Sequence, residues 1–395
     1  RVAGGRPWLV AGVLVAVPAL AAGVTIAALP ASATSAASTV TVSRASCAPD
    51  WSAAQPGTQT ITVTNNSGLA GEINLDNAAG AVVGEIETIG PGTSAPLTAT
   101  LGAGTYTIKC LMGSQPTTAS PPVTVSANGT TTAAAPVAVK PVTLGDLTPP
   151  NRLYQGYAAA QLAGLATAVT AVEADLRKGG LPQAKKDWLT AQLDWERVGA
   201  SYDSFGDLGL AVDGLPDGYP GGVRDPHFTG LHRLEYGLWH GQSTGTLRTV
   251  ATTLARNVAT VRKNLTSADL AGDPTNLPVR AHEILEDALR DHLSGMDDEG
   301  GGAAFAQTDA DVRVTRALLG YLAPLINARQ PGLLATAGRQ LTALQQALDA
   351  TRTGTRWHPL GQAPLLARQH VNAAIGAVLQ TLDAVPDLLE VPPTH

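Results

Sequence analysis

At 395 residues the chain is longer than one ordinary core needs and suits two domains plus a targeting segment. Its net charge is −6 and no Lys/Arg run occurs, so the basic face that a nucleic-acid partner requires is missing. The wealth of Ala, Gly, Leu, Val and Thr carries no information about activity.

Arg1 and Arg6 precede an apolar stretch, residues 8–29, and Ala31-Ser32-Ala33 follows it. This is the layout of a secretory signal. The apolar run also reaches the roughly 20 residues of a bilayer span, so an uncleaved anchor is the alternative for residues 1–38. Both readings export the rest of the chain. Short alternating runs at 39–45, 59–66, 71–76, 81–89, 94–101, 104–111 and 121–127 are separated by turn residues such as Gly90-Pro91-Gly92. They predict a β-sandwich over 39–127. The Thr/Ala/Pro-rich segment 128–150 reads as a linker. From 151 the period becomes helical, with helices predicted at 152–178, 181–202, 229–240, 245–265, 277–293, 306–328, 333–351 and 362–388. A monomeric helical bundle over 151–392 follows, with 204–228 as a folded loop across one end.

Chemistry concentrates in this second half, where all 8 histidines lie. In the run D-P-H-F-T-G-L-H-R-L-E-Y-G-L-W-H, Thr229 is placed to cap a helix on which His232 and Glu235 stand three residues apart. Side chains at i and i+3 share a face. An imidazole and a carboxylate converging on a bundle interior form half of a site for iron, manganese or zinc. The spacing alone also fits a surface or capping pair.

The residues around that pair carry a family resemblance. G-L-H-R-L-E resembles the G-x-H-x-x-E signature of the imelysin family, and the longer run is similar to its EfeO-type iron-uptake branch. Asp194-Trp195-Glu196-Arg197 resembles that branch's H-Y-E-R motif, and Arg280-Ala281-His282-Glu283-Ile284-Leu285-Glu286 its R-A-H-E-I-L-E motif. Ser46-Cys47-Ala48-Pro49 and Tyr106-Thr107-Ile108-Lys109-Cys110 are similar to the cupredoxin-like domain of the same proteins. The resemblance implies a cupredoxin-like β-sandwich followed by an all-α imelysin-like bundle. It further implies a non-enzymatic periplasmic or cell-surface protein that binds iron, Fe2+ or Fe3+, and supplies a membrane permease alongside a haem-peroxidase-type partner. It carries over His232, Glu235 and Glu196 as metal ligands, with Asp213 of the loop A-V-D-G as the fourth. Asp194 stands where the family has His, which puts a ligand role for that position in doubt. One His and three carboxylates form a hard donor set that favours iron or manganese and accepts zinc or another divalent cation. Neutral imidazole and ionised carboxylates are the binding forms, so affinity is expected to fall as pH drops through about 6.5. His282 and Glu286 are read as an interhelical hydrogen-bonded pair, with a second shell or second site as the alternative.

Cys47 and Cys110 are the only 2 cysteines of an exported chain and are read as a disulfide. The alternative is a cation site shared with Glu72, Glu85 and Glu87. The sandwich has no histidine, which argues against electron-transfer copper. Two other functions compete with iron uptake. A metallopeptidase needs H-x-x-E-H, and Tyr236 follows Glu235 here. A polysaccharide-binding or adhesion module suits the exported sandwich but leaves the His and carboxylate motifs unexplained.

Overall fold

The computed structural model describes residues 38–126, 138–200 and 204–392. The signal or anchor segment lies outside these residues. The chain divides into two compact units, one of strands and one of helices.

Two sheets share the core of the first unit. In one, β1 (Ser38–Val42) runs parallel to β2 (Gly57–Asn65), and β2 pairs antiparallel with β5 (Ser94–Leu101). The other has the order β4 (Val82–Ile89), β3 (Gly71–Asn77), β6 (Gly104–Met112) and β7 (Thr118–Ala119), with β8 (Val123–Val125) pairing the start of β6. The two-residue period of a strand sends Ile61 and Val63 inward against Ile73, Leu75 and Ile108. The outward positions are threonines that pair across strands, Thr58 with Thr100 at 2.9 Å and Thr60 with Thr98 at 3.1 Å. Such pairs contribute about 0.2–1 kcal/mol each.

Cys47 and Cys110 form a disulfide, with their Cα atoms 5.7 Å apart. Each sulfur is bonded to the other, so neither offers a thiolate, and the alternative site with Glu72 and Glu85 lacks its sulfur ligands. Glu72 is instead buried on β3, where it accepts a hydrogen bond from Asn74 at 2.6 Å, and Glu85 is exposed on β4. The bridge closes a loop with a sequence separation of 63. Loops of that size correspond to about 4 kcal/mol of chain entropy. Reduction should therefore lower the sandwich's unfolding transition in calorimetry and leave cation binding by the helices unchanged.

The helical unit starts earlier than the sequence pattern predicts. Helix α1 (Leu144–Lys178) begins inside the stretch read as linker because Thr143 and Asp146 form a capping box, and Pro149 and Pro150 are carried within its first turns. Its stripe Leu147, Tyr154, Ala158, Leu162, Leu165, Val169, Val172 and Leu176 is buried. Gly179, at φ 73°, ends it in the left-handed conformation. Next come α2 (Leu181–Glu196), α3 (Gly206–Asp213), α4 (Leu231–Trp239), α5 (Thr244–Asn264) and α6 (Asn276–Asp287). Helix α6 continues into a π-helical turn, Ala288–His292. The unit closes with α7 (Ala304–Arg329), α8 (Leu333–Asp349), α9 (Leu365–Leu382) and α10 (Ala384–Leu388). Helix α1 packs against α2, α5 and α7, which sets the bundle interior. Among the described residues no helix is long and apolar enough to cross a membrane.

Candidate metal centre

Three close approaches bring the predicted ligands together. Helix α4 starts at Gly230, whose φ of 96° suits glycine and whose missing side chain leaves room for α3: a Cβ there would lie 2.4 Å from the Val212 carbonyl oxygen. Gly230 is thus the N-cap, and Thr229, expected to cap the helix, donates its hydroxyl to the Ala211 carbonyl at 3.3 Å instead. Trp188 of α2 donates its indole N–H to the Leu231 carbonyl at 3.0 Å and packs edge-on against Trp239. His232 and Glu235 are both 2 % exposed, and Glu196, the last residue of α2, is 8 % exposed. Asp213 is the last residue of α3, so the segment expected to be a loop delivers this carboxylate from a helix end.

His232 Nε2 lies 3.4 Å from Asp213 Oδ1, while its Nδ1 donates to Glu235 Oε2 at 3.1 Å. The two carboxylates approach opposite nitrogens of one ring. Glu235 Oε1 accepts the Gly301 N–H at 2.7 Å, so both of its oxygens are engaged. This is the arrangement in which a carboxylate fixes the tautomer of a histidine whose other nitrogen faces a metal. Gln192 Nε2 donates to Glu196 Oε1 at 2.8 Å and to Asp213 Oδ1 at 2.9 Å, tying the two acids together.

The structure adds residues that the motifs did not reveal. His292, at the end of the π-helical turn, repeats the design of His232. Its Nδ1 donates to Asp297, and its Nε2 faces Asp311 Oδ2 at 3.2 Å and Glu196 Oε2 at 3.8 Å. Gln307 donates to Glu196 Oε1 at 3.1 Å and to Asp297 Oδ2 at 3.2 Å. A usable signal was present: His292 continues the buried spacing Ala281, Leu285, Ala288 along α6. Asp311 follows the buried start of α7, where Gln307, Thr308 and Asp309 sit among small apolar residues. A cavity of about 570 Å³ is lined by Glu196, Asp213, His292 and Asp311 and by Asp217 and Tyr219.

Other predicted positions lie elsewhere. His282 and Glu286 pair with each other at 3.6 Å along α6, not between helices, and Glu286 is half-buried. Asp194 turns to Arg197 at 2.9 Å and lies against Gly164 of α1, so the residue replacing the family His is not among the cluster's groups. Arg280 donates to the Tyr154 hydroxyl at 2.7 Å and the Gly199 carbonyl at 2.9 Å, a packing role for that motif.

Burial sets the protonation of the cluster. It drives Asp213 up to about 7, with His232 opposing, and Asp311 up to about 8, with His292 opposing. Burial works to lower His232, but Asp213 and Glu235 outweigh it and bring the imidazole to about 10. His292 is likewise raised well above its ordinary value, because Asp297 and Glu196 outweigh burial. Asp297 sits at about 2, where the pull of His292 overcomes burial. The expected midpoint near 6.5 for the histidine is therefore too low for the metal-free protein.

Gly301 is the test of the Glu235 anchor. A Cβ there would lie 2.6 Å from Glu235 Oε1 and 2.8 Å from the Trp188 ring, closer than real contacts allow. Gly301→Ala should displace Glu235 and weaken cation binding about 10- to 100-fold, the usual cost of losing a ligand's orienting partner, with calorimetric titration as the measurement.

These features define a helical bundle whose buried imidazoles and carboxylates are the donor types that hold hard and borderline cations. The chain belongs to the imelysin family, peptidase family M75, whose sequence profile matches residues 152–385. It is 26% identical over 314 residues to the iron uptake system component EfeO of Escherichia coli (strain K12), covering 80% of this chain and 81% of that protein. The same figures hold for the EfeO of Shigella flexneri. The EfeO-type resemblance read from the motifs thus holds across most of the chain. A crystal structure of a putative iron-regulated protein A precursor from Parabacteroides distasonis superposes with a TM-score of 0.46 at 12% identity, covering 63% of this chain and 96% of that one.

Proposed function

We propose that this protein is the extracytoplasmic iron-binding component of an iron-uptake system, capturing iron and passing it to a membrane permease, with a haem-peroxidase-type protein as a further partner. Its similarity to proteins named as iron uptake components supports the reading. The observation that carries it is a buried cluster in which His232 Nε2 lies 3.4 Å from Asp213 and Gln192 links Asp213 to Glu196. Among the described residues no Lys or Arg pairs with these acids. The partners of these buried carboxylates are imidazoles, which can give up their protons to a metal ion in that place. His232 Nε2, Asp213 and Glu196 serve as ligands, and Glu235 holds the ring through Nδ1. Oxygen donors with one imidazole suit iron, and also accept manganese or zinc. The sandwich is read as a cupredoxin-like domain stapled by its disulfide. No catalytic step is assigned: both Glu235 oxygens are engaged, and Tyr236 stands where a zinc peptidase needs its second histidine.

Iron titration and elemental analysis of the exported chain test the proposal. His232→Ala should weaken iron binding at least tenfold, about 1.4 kcal/mol, without loss of helical content. Unchanged binding in His232→Ala and in Asp213→Ala would remove the site. His240 is the control: its Nδ1 donates to the Tyr236 carbonyl at 2.9 Å on the exposed side of the helix end, and His240→Ala should bind as the parent does.

A further inference from the structure

We propose that His292 Nε2, Asp311 and the second oxygen of Glu196 form a second cation position beside the first. The inference rests on the reading of His232, Asp213 and Glu196 as the first position.

Geometry and burial carry it. The donor atoms of Glu196, His292 and Asp311 all lie within 4.8 Å of one another, and the three residues are buried. Ligand distances of about 2.0–2.2 Å set two donors at most about 4.4 Å apart across an ion, so the three need only draw in slightly. Asp311 is 3 % exposed, yet its Oδ2 has no hydrogen-bond partner, because its 3.2 Å approach to His292 Nε2 lies outside hydrogen-bond geometry. A buried carboxylate oxygen left without a donor is costly, and an ion at this point supplies what it lacks.

The neighbouring groups are arranged for two ions. Each histidine has Nδ1 held by an acid, Glu235 for His232 and Asp297 for His292, and each directs Nε2 into the same cluster. Two amides, Gln192 and Gln307, both donate to Oε1 of Glu196 and leave Oε2 facing His292 at 3.8 Å. The oxygen so left is the one Glu196 offers to an ion. The cavity touches His292, Asp311 and Glu196 but is not lined by His232. The ligand class is a divalent or ferric ion favouring oxygen with one imidazole nitrogen.

Zinc is the redox-silent probe. The intact exported chain is titrated calorimetrically with Zn2+, and bound zinc is counted after gel filtration. The parent should take up two zinc ions. Asp311→Asn and His292→Gln should each take up one, with affinity for the remaining ion within about threefold of the parent's tighter step. His232→Gln should also keep one ion, held at the other position. Thermal unfolding by circular dichroism establishes that each variant is folded, and the two substitutions at the second position check each other. A parent that takes up a single zinc, retained by Asp311→Asn, overturns the second position while leaving the first in place. Two zinc ions in both Asp311→Asn and His292→Gln, or none in either, also overturn it. A parent that binds no metal overturns the first position as well.

Discussion

Replacing Glu196 with alanine should abolish high-affinity cation binding, lowering affinity at least a hundredfold, about 2.8 kcal/mol. Three side chains of the cluster meet this one carboxylate. Glu196 ends α2, its Oε1 accepts from Gln192 at 2.8 Å and Gln307 at 3.1 Å, and its Oε2 faces His292 at 3.8 Å. Removing it takes an oxygen from every ligand combination the cluster offers. The fold should survive, because Gln192 keeps its bond to Asp213 and Gln307 keeps its bond to Asp297. Loss of one carboxylate also relieves repulsion, since Glu196 raises Asp213 and Asp311. The metal-free variant should therefore unfold at the parent's temperature or slightly above it. Iron titration paired with thermal unfolding reads both quantities, and parent-like iron affinity in a folded Glu196→Ala protein would falsify the assignment.

The parts of this site that the sequence revealed are those held by local spacing. His232 and Glu235 lie three apart on one helix, and Glu196 sits in a recognisable tetrapeptide. The strands were legible because Thr and aliphatic residues alternate along β2 and β5. Helix α3 was hidden: it has eight residues, two of them Gly206 and Gly209, and glycine costs about 1 kcal/mol in a helix. Packing of the buried Val212 overrides that propensity and turns Asp213 from a loop residue into a helix end. The start of α1 was masked by Pro149-Pro150, which read as a break although Thr143 and Asp146 supply the cap. His292, Asp297 and Asp311 come from a turn, a loop and a helix, and no single period joins them. Their convergence is a product of how α6 and α7 pack, and three-dimensional contact alone brings it out. Spacing likewise shows that Glu235 meets His232, but not which ring nitrogen it meets.

Cation binding at pH 7 should release protons, and affinity should climb through the whole range from pH 6 to 9. In the metal-free protein the proton on His232 is held to about 10, chiefly by Asp213 and Glu235 against the effect of burial. Asp311 keeps its proton to about 8 and Asp213 to about 7, both because they are buried. A cation needs the bare imidazole nitrogen and ionised oxygens, so it must expel these protons, and each one displaced adds about tenfold in affinity per pH unit. Stability of the metal-free protein should move the other way. His232 is raised from 6.5, so its contribution is fully present below 6.5 and is lost as pH rises through about 10. Asp311 is raised from 3.8, and the stability tied to its retained proton is lost between 3.8 and about 8. Asp297 has the opposite sign, but its lowered value of about 2 puts its loss below pH 3.8, outside the window. Unfolding temperature without metal should therefore fall from pH 5 to pH 9, and the gap between loaded and metal-free protein should widen. Calorimetric titrations in buffers of different ionisation enthalpy count the protons, and thermal unfolding across the range gives the second readout. Binding without proton release, together with an unfolding temperature of the metal-free protein that rises toward pH 9, would mean that the histidines are already neutral and that the acids do not hold them as the geometry requires.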